Sequence, residues 1–196
     1  PARGGAGLHS GFGLAWRLQR GSVIGWGIGM LLGGLSYGSI GDSAGDLIGD
    51  SQTSQDMFGA GAADLVDGFF SVSLVMLALI ATGFALSSVS RPRSQETGGH
   101  AEILLATGLS RLRWLGGQVA VCVIGVVVVV VAGGVGLGAG YALVTGDRGG
   151  FARLAVPMLA YVAPILVTVG LGVLIYGVLP RASAAVWAVL AYATLV

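Results

Sequence analysis

The stretch GQVAVCVIGVVVVVVAGGVGLGAGYALV, residues 117–144, runs for 28 residues without a charged side chain. A helix rises 1.5 Å per residue, so about 20 apolar residues cross the hydrocarbon core of a bilayer. The valines at 126–131 alone would suit a buried strand, but a run of this length favours a helix. The stretch therefore predicts a transmembrane span.

The composition of the chain extends that interpretation to the whole molecule. Its mean hydropathy is +0.88, and 10% of its residues are charged, whereas soluble domains carry about 25%. We predict an all-α, polytopic transmembrane helix bundle with about five spans, the fifth truncated. The predicted spans are 22–40, 69–89, 117–144, 154–179 and 182–196. Both ends suggest a part of a longer polypeptide.

Residues 1–21 precede the first predicted span. Residues 1–10 are glycine-rich and predict a linker. In the segment that follows, Phe12, Ala15, Trp16 and Gln19 recur at helical spacing, with arginines off that line. This pattern predicts an amphipathic helix in the headgroup region. A positively charged anchor for the first span is the alternative.

Two sets of glycines recur every four residues within predicted spans. Such spacing stacks the glycines on one helix face, where a neighbouring helix can approach closely. We predict that these glycines pack helices together, and a substrate groove is the alternative. The first set is Gly21, Gly25, Gly29 and Gly33 of the first span, and the second is the two pairs Gly134/Gly138 and Gly136/Gly140 of the third span.

The segment 41–68 contains six aspartates and no arginine. Placing them in lipid would cost about 15–20 kcal/mol at about 2.5–3.5 kcal/mol each, so an aqueous loop is predicted. Asp42, Asp46 and Asp50 are spaced four apart, but calcium requires 6–8 oxygens from a converging loop. They predict a solvated acidic face.

The arginines orient the bundle, because cytoplasmic loops of membrane proteins are enriched in positive charge. One set of loops carries Arg3, Arg17, Arg20, Arg91, Arg93, Arg111, Arg113 and Arg181. The other set carries Arg148 and Arg153 together with seven of the nine acidic residues. We therefore predict a cytoplasmic N-terminus, an external loop 41–68 and a cytoplasmic loop 91–116.

The fourth predicted span contains two prolines on nearly one face, Pro157 and Pro164, with Tyr161 between them. Proline bends a membrane helix and frees backbone carbonyl groups. The three residues are candidates for the lining of a transport pathway. A purely architectural kink is the alternative.

Several kinds of chemistry are not expected from this chain. It has no lysine, which excludes a P-loop lysine or a Schiff-base lysine within it. Its single cysteine, Cys122, lies in an apolar run, and both histidines lie in aqueous segments. No catalytic residue, metal site or bound cofactor is predicted. Ionisable residues inside the spans, the usual mark of proton coupling, are also absent from the sequence.

The loop 91–116 combines positive charge with a short apolar segment, Ala101–Ala106, and this combination predicts a docking surface. The stretch 91–114 resembles the C-terminal half of the permeases of ABC-2-type exporters, in the polyketide-antibiotic (tetronasin-type) exporter family of high-GC Gram-positive bacteria. The matching residues are Arg91, Arg93, Ser94, Glu96, Thr97, Gly99, Ala101, Glu102, Leu104, Leu105, Ala106, Thr107, Ser110, Arg111, Arg113 and Trp114. Gln95 and His100 depart from the family's pattern.

The resemblance implies a permease subunit in the bacterial plasma membrane that exports amphiphilic drugs or antibiotics such as polyketides. A separate ABC-type ATPase, expected as a dimer, would bind ATP and magnesium. The other half of the permease and the lipid bilayer are the further partners, and no nucleic acid is expected. The residues implied to couple to the ATPase are Arg91, Arg93, Glu96, Glu102, Ile103, Leu104, Leu105, Arg111 and Arg113.

Two other functions are compatible with the sequence. One is a non-transporting membrane scaffold or immunity subunit, which would associate with no ATPase. The other is a secondary transporter whose ionisable residues lie outside this chain. Efflux by such a transporter would stop when a pH gradient is collapsed.

Overall fold

A computed structural model of the chain describes residues 11–48, 62–97 and 111–178. The described elements are helices: α1 (Gly11–Ile48), α2 (Ala62–Thr97), α3 (Arg111–Thr145), α4 (Arg148–Ala155), a 3₁₀ helix (Pro157–Tyr161) and α5 (Val162–Val178). Among these residues, four apolar helical segments are long enough to cross a membrane: Ala15–Gly41, Val66–Ser90, Gly116–Thr145 and Arg148–Leu174. The predicted all-α, polytopic membrane bundle is confirmed. The fifth predicted span lies outside the described residues.

Helix α1 is one continuous helix of 38 residues. Residues 11–21, predicted as an amphipathic helix in the headgroup region, form the first turns of α1. The buried face does not change direction there, because Ala15, Gln19 and Val23 follow one another at four-residue spacing and all are buried. The position of these turns in the headgroup region stays a prediction. The helix also continues past the predicted span as far as Ile48, so the start of the predicted external loop is helical.

Helix α2 continues through Pro92 and ends at Thr97. The second predicted span ends at residue 89, so the helix extends eight residues beyond it. A proline in a helix interior removes one helical hydrogen bond, and α2 nevertheless continues for five residues beyond Pro92. Since α3 begins at Arg111, the predicted loop 91–116 is helical at both ends. Its middle part, residues 98–110, lies outside the described residues.

The chain divides into two compact units. Among the described residues, the first unit contains α1 up to Gly25, α2 from Thr82, α3 up to Val127 and α5 from Ile165. Within it, α2 runs antiparallel to α3, because Ala85 lies next to Cys122 and Phe84 next to Gly125. Its buried core includes Val23, Phe84, Leu86, Val121 and Val126.

The second unit contains α1 from Trp26, α2 up to Ala81, α3 from Val128, and α4 with the 3₁₀ helix. Its buried core includes Met30, Phe70, Leu77, Val129, Leu137 and Met158. Glycines of α1 and α3 face each other here and bring the two backbones into contact. This close approach fixes the position of α3, on which α4 then packs.

Candidate functional site

Helices α1 and α3 meet in the second unit along a line of glycines, which we call the α1–α3 seam: Gly34 and Gly38 of α1, and Gly136 and Gly140 of α3. A Cβ atom built on Gly34 or Gly38 would lie 2.8 Å from a backbone nitrogen of α3. A Cβ on Gly140 would lie 2.9 Å from the backbone nitrogen of Ser39. These distances are shorter than a van der Waals contact, so only glycine fits at the seam. Close backbone approach of this kind stabilises helix pairs in lipid through dispersion contacts.

On α3 the seam uses the predicted pair Gly136 and Gly140, but on α1 it does not use the predicted glycine row. No atom of the described residues lies within 4 Å of a Cβ built on Gly21, Gly25 or Gly29. Gly33 meets only the side chain of Leu77, at 3.8 Å. The described helices therefore do not pack closely against this row, and its predicted packing role stays a prediction. Two helix backbones can touch only where neither has a side chain in the way, and glycines of α3 lie at the contact with Gly34 and Gly38.

A second face of α3 carries Gly134 and Gly138, and α4 packs against it. A Cβ on Gly134 would lie 2.7 Å from the carbonyl oxygen of Ala155, and one on Gly138 would lie 2.5 Å from that of Phe151. Helix α3 thus presents glycines to two partners, α1 and α4. The predicted glycine pair of the third span lies at a close helix contact.

Between α3 and α4 the chain reverses direction in a tight turn at Gly146 and Asp147. Gly146 has a positive φ of 73°, which side chains other than glycine rarely adopt. Asp147 is the N-cap of α4, and its Oδ1 accepts a hydrogen bond of 2.8 Å from the backbone nitrogen of Gly149. This cap satisfies one of the free amide groups at the start of the helix. The reversal sets α4 back onto α3.

The fourth predicted span is broken rather than smoothly bent. Pro157 is the first residue of the 3₁₀ helix, and Pro164 is the third residue of α5. Both occupy first-turn positions, where the missing N–H has no helical acceptor to lose. The described segment that is long and apolar enough to cross a membrane here, Arg148–Leu174, therefore contains this break.

The three candidate pathway residues differ in their exposure. Pro157 and Pro164 are exposed, and Tyr161 is half-buried. Met158, between them in the sequence, is fully buried against α3 near Gly134. The break thus leaves both prolines accessible from outside the described helices. A role in lining the pathway remains a prediction.

An aromatic cluster lies beside α4 in the second unit. The rings of Phe70 and Tyr141 are 5.5 Å apart and edge-on, those of Phe69 and Phe70 are 5.6 Å apart, and those of Tyr37 and Phe69 are 6.4 Å apart. Such geometries are the favoured ones for aromatic pairs. Nearby, Arg153 Nη2 of α4 donates to Asp67 Oδ1 of α2 at 3.0 Å, with both side chains largely exposed. The aromatic rings therefore contribute more to the stability of this end of the unit than the exposed ion pair does.

The first unit contains a buried amide pair that the sequence reasoning did not identify. Gln19 Nε2 of α1 donates to Gln118 Oε1 of α3, and the side chains are 2% and 4% exposed. An amide that crosses between helices is a stabilising contact in lipid. The sequence feature that could have pointed to this pair is the glutamine, Gln118, within the uncharged run 117–144.

The residues implied to couple to an ATPase fall into two groups. Arg91, Arg93 and Glu96 lie on the last turns of α2, and Arg111 and Arg113 lie on the first turns of α3. Glu102, Ile103, Leu104 and Leu105 lie outside the described residues. In the described ranges, no cluster of histidine, cysteine and acidic side chains has the arrangement to hold a metal ion.

Comparison with known proteins identifies relatives of this chain. Residues 8–196 match the family model described as the C-terminal domain of the multidrug efflux system permease Rv1217c. The chain is 38% identical over 201 aligned residues to the multidrug efflux system permease protein Rv1217c of Mycobacterium tuberculosis (strain ATCC 25618 / H37Rv). The alignment covers 97% of this chain and 36% of that protein. The chain thus spans about a third of the length of the curated relative it matches.

Proposed function

Since the chain belongs to the family of the C-terminal domain of the multidrug efflux system permease Rv1217c, we propose that it is the C-terminal membrane-embedded part of a multidrug efflux permease. The family match over residues 8–196 carries this proposal. The four apolar helical segments supply the membrane domain that a permease requires. Export of several drugs through the complete permease is the activity we assign to it.

We further propose that the permease is of the ABC-2 type and is driven by a separate, dimeric ATPase that binds ATP and magnesium. Two observations support this mechanism. The stretch 91–114 resembles the corresponding loop of ABC-2-type exporters, and the chain lacks the lysine that a P-loop requires. The absence of ionisable residues from the apolar centres of the spans also gives a proton no carrier within this chain.

The docking surface on the ATPase side is the loop 91–116. Helices α2 and α3 lead into it from both ends and carry arginines there. Ile103, Leu104 and Leu105 form its apolar centre. Burying a leucine contributes about 1.5–3 kcal/mol, whereas an exposed ion pair contributes about 0–1 kcal/mol. The apolar centre therefore supplies most of the binding free energy, and the charges orient the contact.

The proposed substrates are amphiphilic drugs or antibiotics, polyketides among them. The name of the relative from Mycobacterium tuberculosis refers to multidrug efflux. An amphiphile can reach the permease from the bilayer, and the exposed prolines at the break in the fourth span lie on its route by our proposal. The lining of that route needs the other part of the permease as well.

Co-purification of the ATPase with the full-length permease tests this function. Leu104→Asp and Leu105→Asp should reduce the bound ATPase strongly, and Glu96→Gln should reduce it less. Thr107→Asp is a matched control, because it adds the same charge to the same loop outside the apolar centre. Wild-type ATPase yield and wild-type efflux in both leucine variants would contradict the coupling role. Efflux that stops on collapse of the pH gradient, with no ATPase bound, would indicate a secondary transporter instead.

A further inference from the structure

Three helices of the first unit converge at Gly125 of α3. A Cβ built there would lie 2.6 Å from Cζ of Phe84 in α2 and 3.2 Å from Cγ2 of Val23 in α1. The buried faces of α1, α2 and α3 therefore meet at this point. The side chains one turn further along these faces must also lie near one another.

Buried polar side chains follow on all three helices, one turn from Val23 and Phe84 and two turns from Gly125. Gln19 lies four residues before Val23, and Ser88 lies four residues after Phe84 in the antiparallel helix α2. Gln118 lies four residues before Cys122, whose Sγ is 3.9 Å from the carbonyl oxygen of Ala85. Since Ser88 is three residues beyond Ala85, it comes to the level of Gln118. The three side chains are only 2%, 3% and 4% exposed, for Gln19, Ser88 and Gln118 respectively.

Ser88 differs from the other serines of α2 in this region. Ser73, Ser87 and Ser90 donate to backbone carbonyl groups three or four residues earlier in their own helix. Ser88 Oγ is buried and has no hydrogen-bond partner among the described residues. A buried hydroxyl without a partner is costly, and such groups in native proteins usually bind water or a ligand.

We propose that Ser88, Gln19 and Gln118 form an uncharged binding site for one neutral hydroxyl group. The hydroxyl belongs either to a water molecule or to a transported amphiphile, and the second source rests on the proposed function. Ser88 supplies a group that both donates and accepts, and a primary amide such as that of Gln19 has sites beyond its single bond to Gln118. No charged side chain belongs to the set, so the site favours a neutral hydroxyl over an ammonium or carboxylate group.

The test is a double-mutant cycle on the thermal stability of the full-length permease in detergent. The variants are Ser88→Ala, Gln118→Leu and the double substitution. A shared bound hydroxyl predicts that Ser88→Ala lowers Tm, and that the double variant loses less than the sum of the two single losses. Ser73→Ala is the matched control, because Ser73 is about as buried as Ser88 but donates a hydrogen bond within its own helix. The Tm of the Ser73→Ala variant should fall less than that of Ser88→Ala.

Two arms distinguish the sources of the hydroxyl, one without added compound and one with the hydroxylated polyketide erythromycin. Non-additivity in the first arm assigns the site to water. Non-additivity only with erythromycin assigns it to the transported compound. Additive losses in both arms, or a Tm that rises for Ser88→Ala, would overturn the proposal. The cycle needs no ATPase, so failure of the ATP-driven mechanism leaves the first arm unaffected.

Discussion

Individual glycines have opposite effects on stability depending on which face of α1 they occupy. Glycine is less favourable than alanine in a helix by about 1 kcal/mol. At Gly38 the backbone of α3 is so near that no larger residue fits, whereas at Gly29 nothing described lies within 4 Å. Close packing therefore offsets the helical cost of glycine at Gly38. At Gly29 no described contact offsets that cost.

Substituting alanine at these two positions should separate the effects. Gly38→Ala forces the backbones apart and should lower the free energy of unfolding by about 1–3 kcal/mol. Gly29→Ala should leave it unchanged or raise it by up to about 1 kcal/mol. Thermal unfolding in detergent measures both. Equal losses for the two variants would show that the glycine row at 21–33 is also packed.

Among the described α-helices, α4 is the shortest, with eight residues, and it depends most on local contacts for its stability. Short helices are marginal alone, so its N-cap and its packing on α3 must hold it in place. Asp147 supplies the cap, and Gly134 and Gly138 supply the flat surface beneath it. The ion pair between Arg153 and Asp67 is exposed and adds little.

Removing the cap should loosen α4 specifically. Asp147→Ala leaves the Gly149 amide without its acceptor and should cost about 0.5–2 kcal/mol of local stability. Asp147→Asn keeps an acceptor oxygen and should behave nearly like the wild type. Hydrogen exchange of the α4 amides is the measurement.

Asp67→Asn serves as the comparison for that experiment, because it removes an exposed charge that contacts the same helix. Its effect on α4 exchange should be under about 1 kcal/mol. If Asp67→Asn accelerates exchange more than Asp147→Ala does, the ion pair rather than the cap holds α4.

On the scale of the whole molecule, the distribution of arginine predicts the orientation in the membrane. Eight arginines lie in segments predicted to be cytoplasmic, and two in segments predicted to be external. The helices α1, α2 and α3 alternate in direction through the bilayer, so the loops after α1 and after α2 must lie on opposite sides. The positive-inside rule then predicts that the loop after α2 is cytoplasmic.

Cysteine labelling tests this orientation. In a Cys122→Ala background, Ser54→Cys should react with an impermeant thiol reagent added outside intact cells. Ser94→Cys should react only after the cells are opened. Reaction of both from outside would show that the predicted topology is wrong.

The sequence alone determined the class of this protein and the approximate position of its helices. The length and hydropathy of an apolar run are local properties, so the run 117–144 predicts a membrane helix whatever lies beside it. The described segment Gly116–Thr145 agrees with it closely. The charges of the polar segments predict the sides of the membrane in the same local way.

Only the tertiary structure decided which side chains meet. The row from Gly21 has four glycines at four-residue spacing, and the face that packs has only the pair Gly34 and Gly38, yet this pair forms the seam. The choice depends on glycines of α3 about 100 positions away, which no local pattern in α1 reports. The pairing of Gln19 with Gln118 has the same cause. In lipid, where apolar faces are not driven together by water, a match in shape and hydrogen bonding between distant segments selects the packed face.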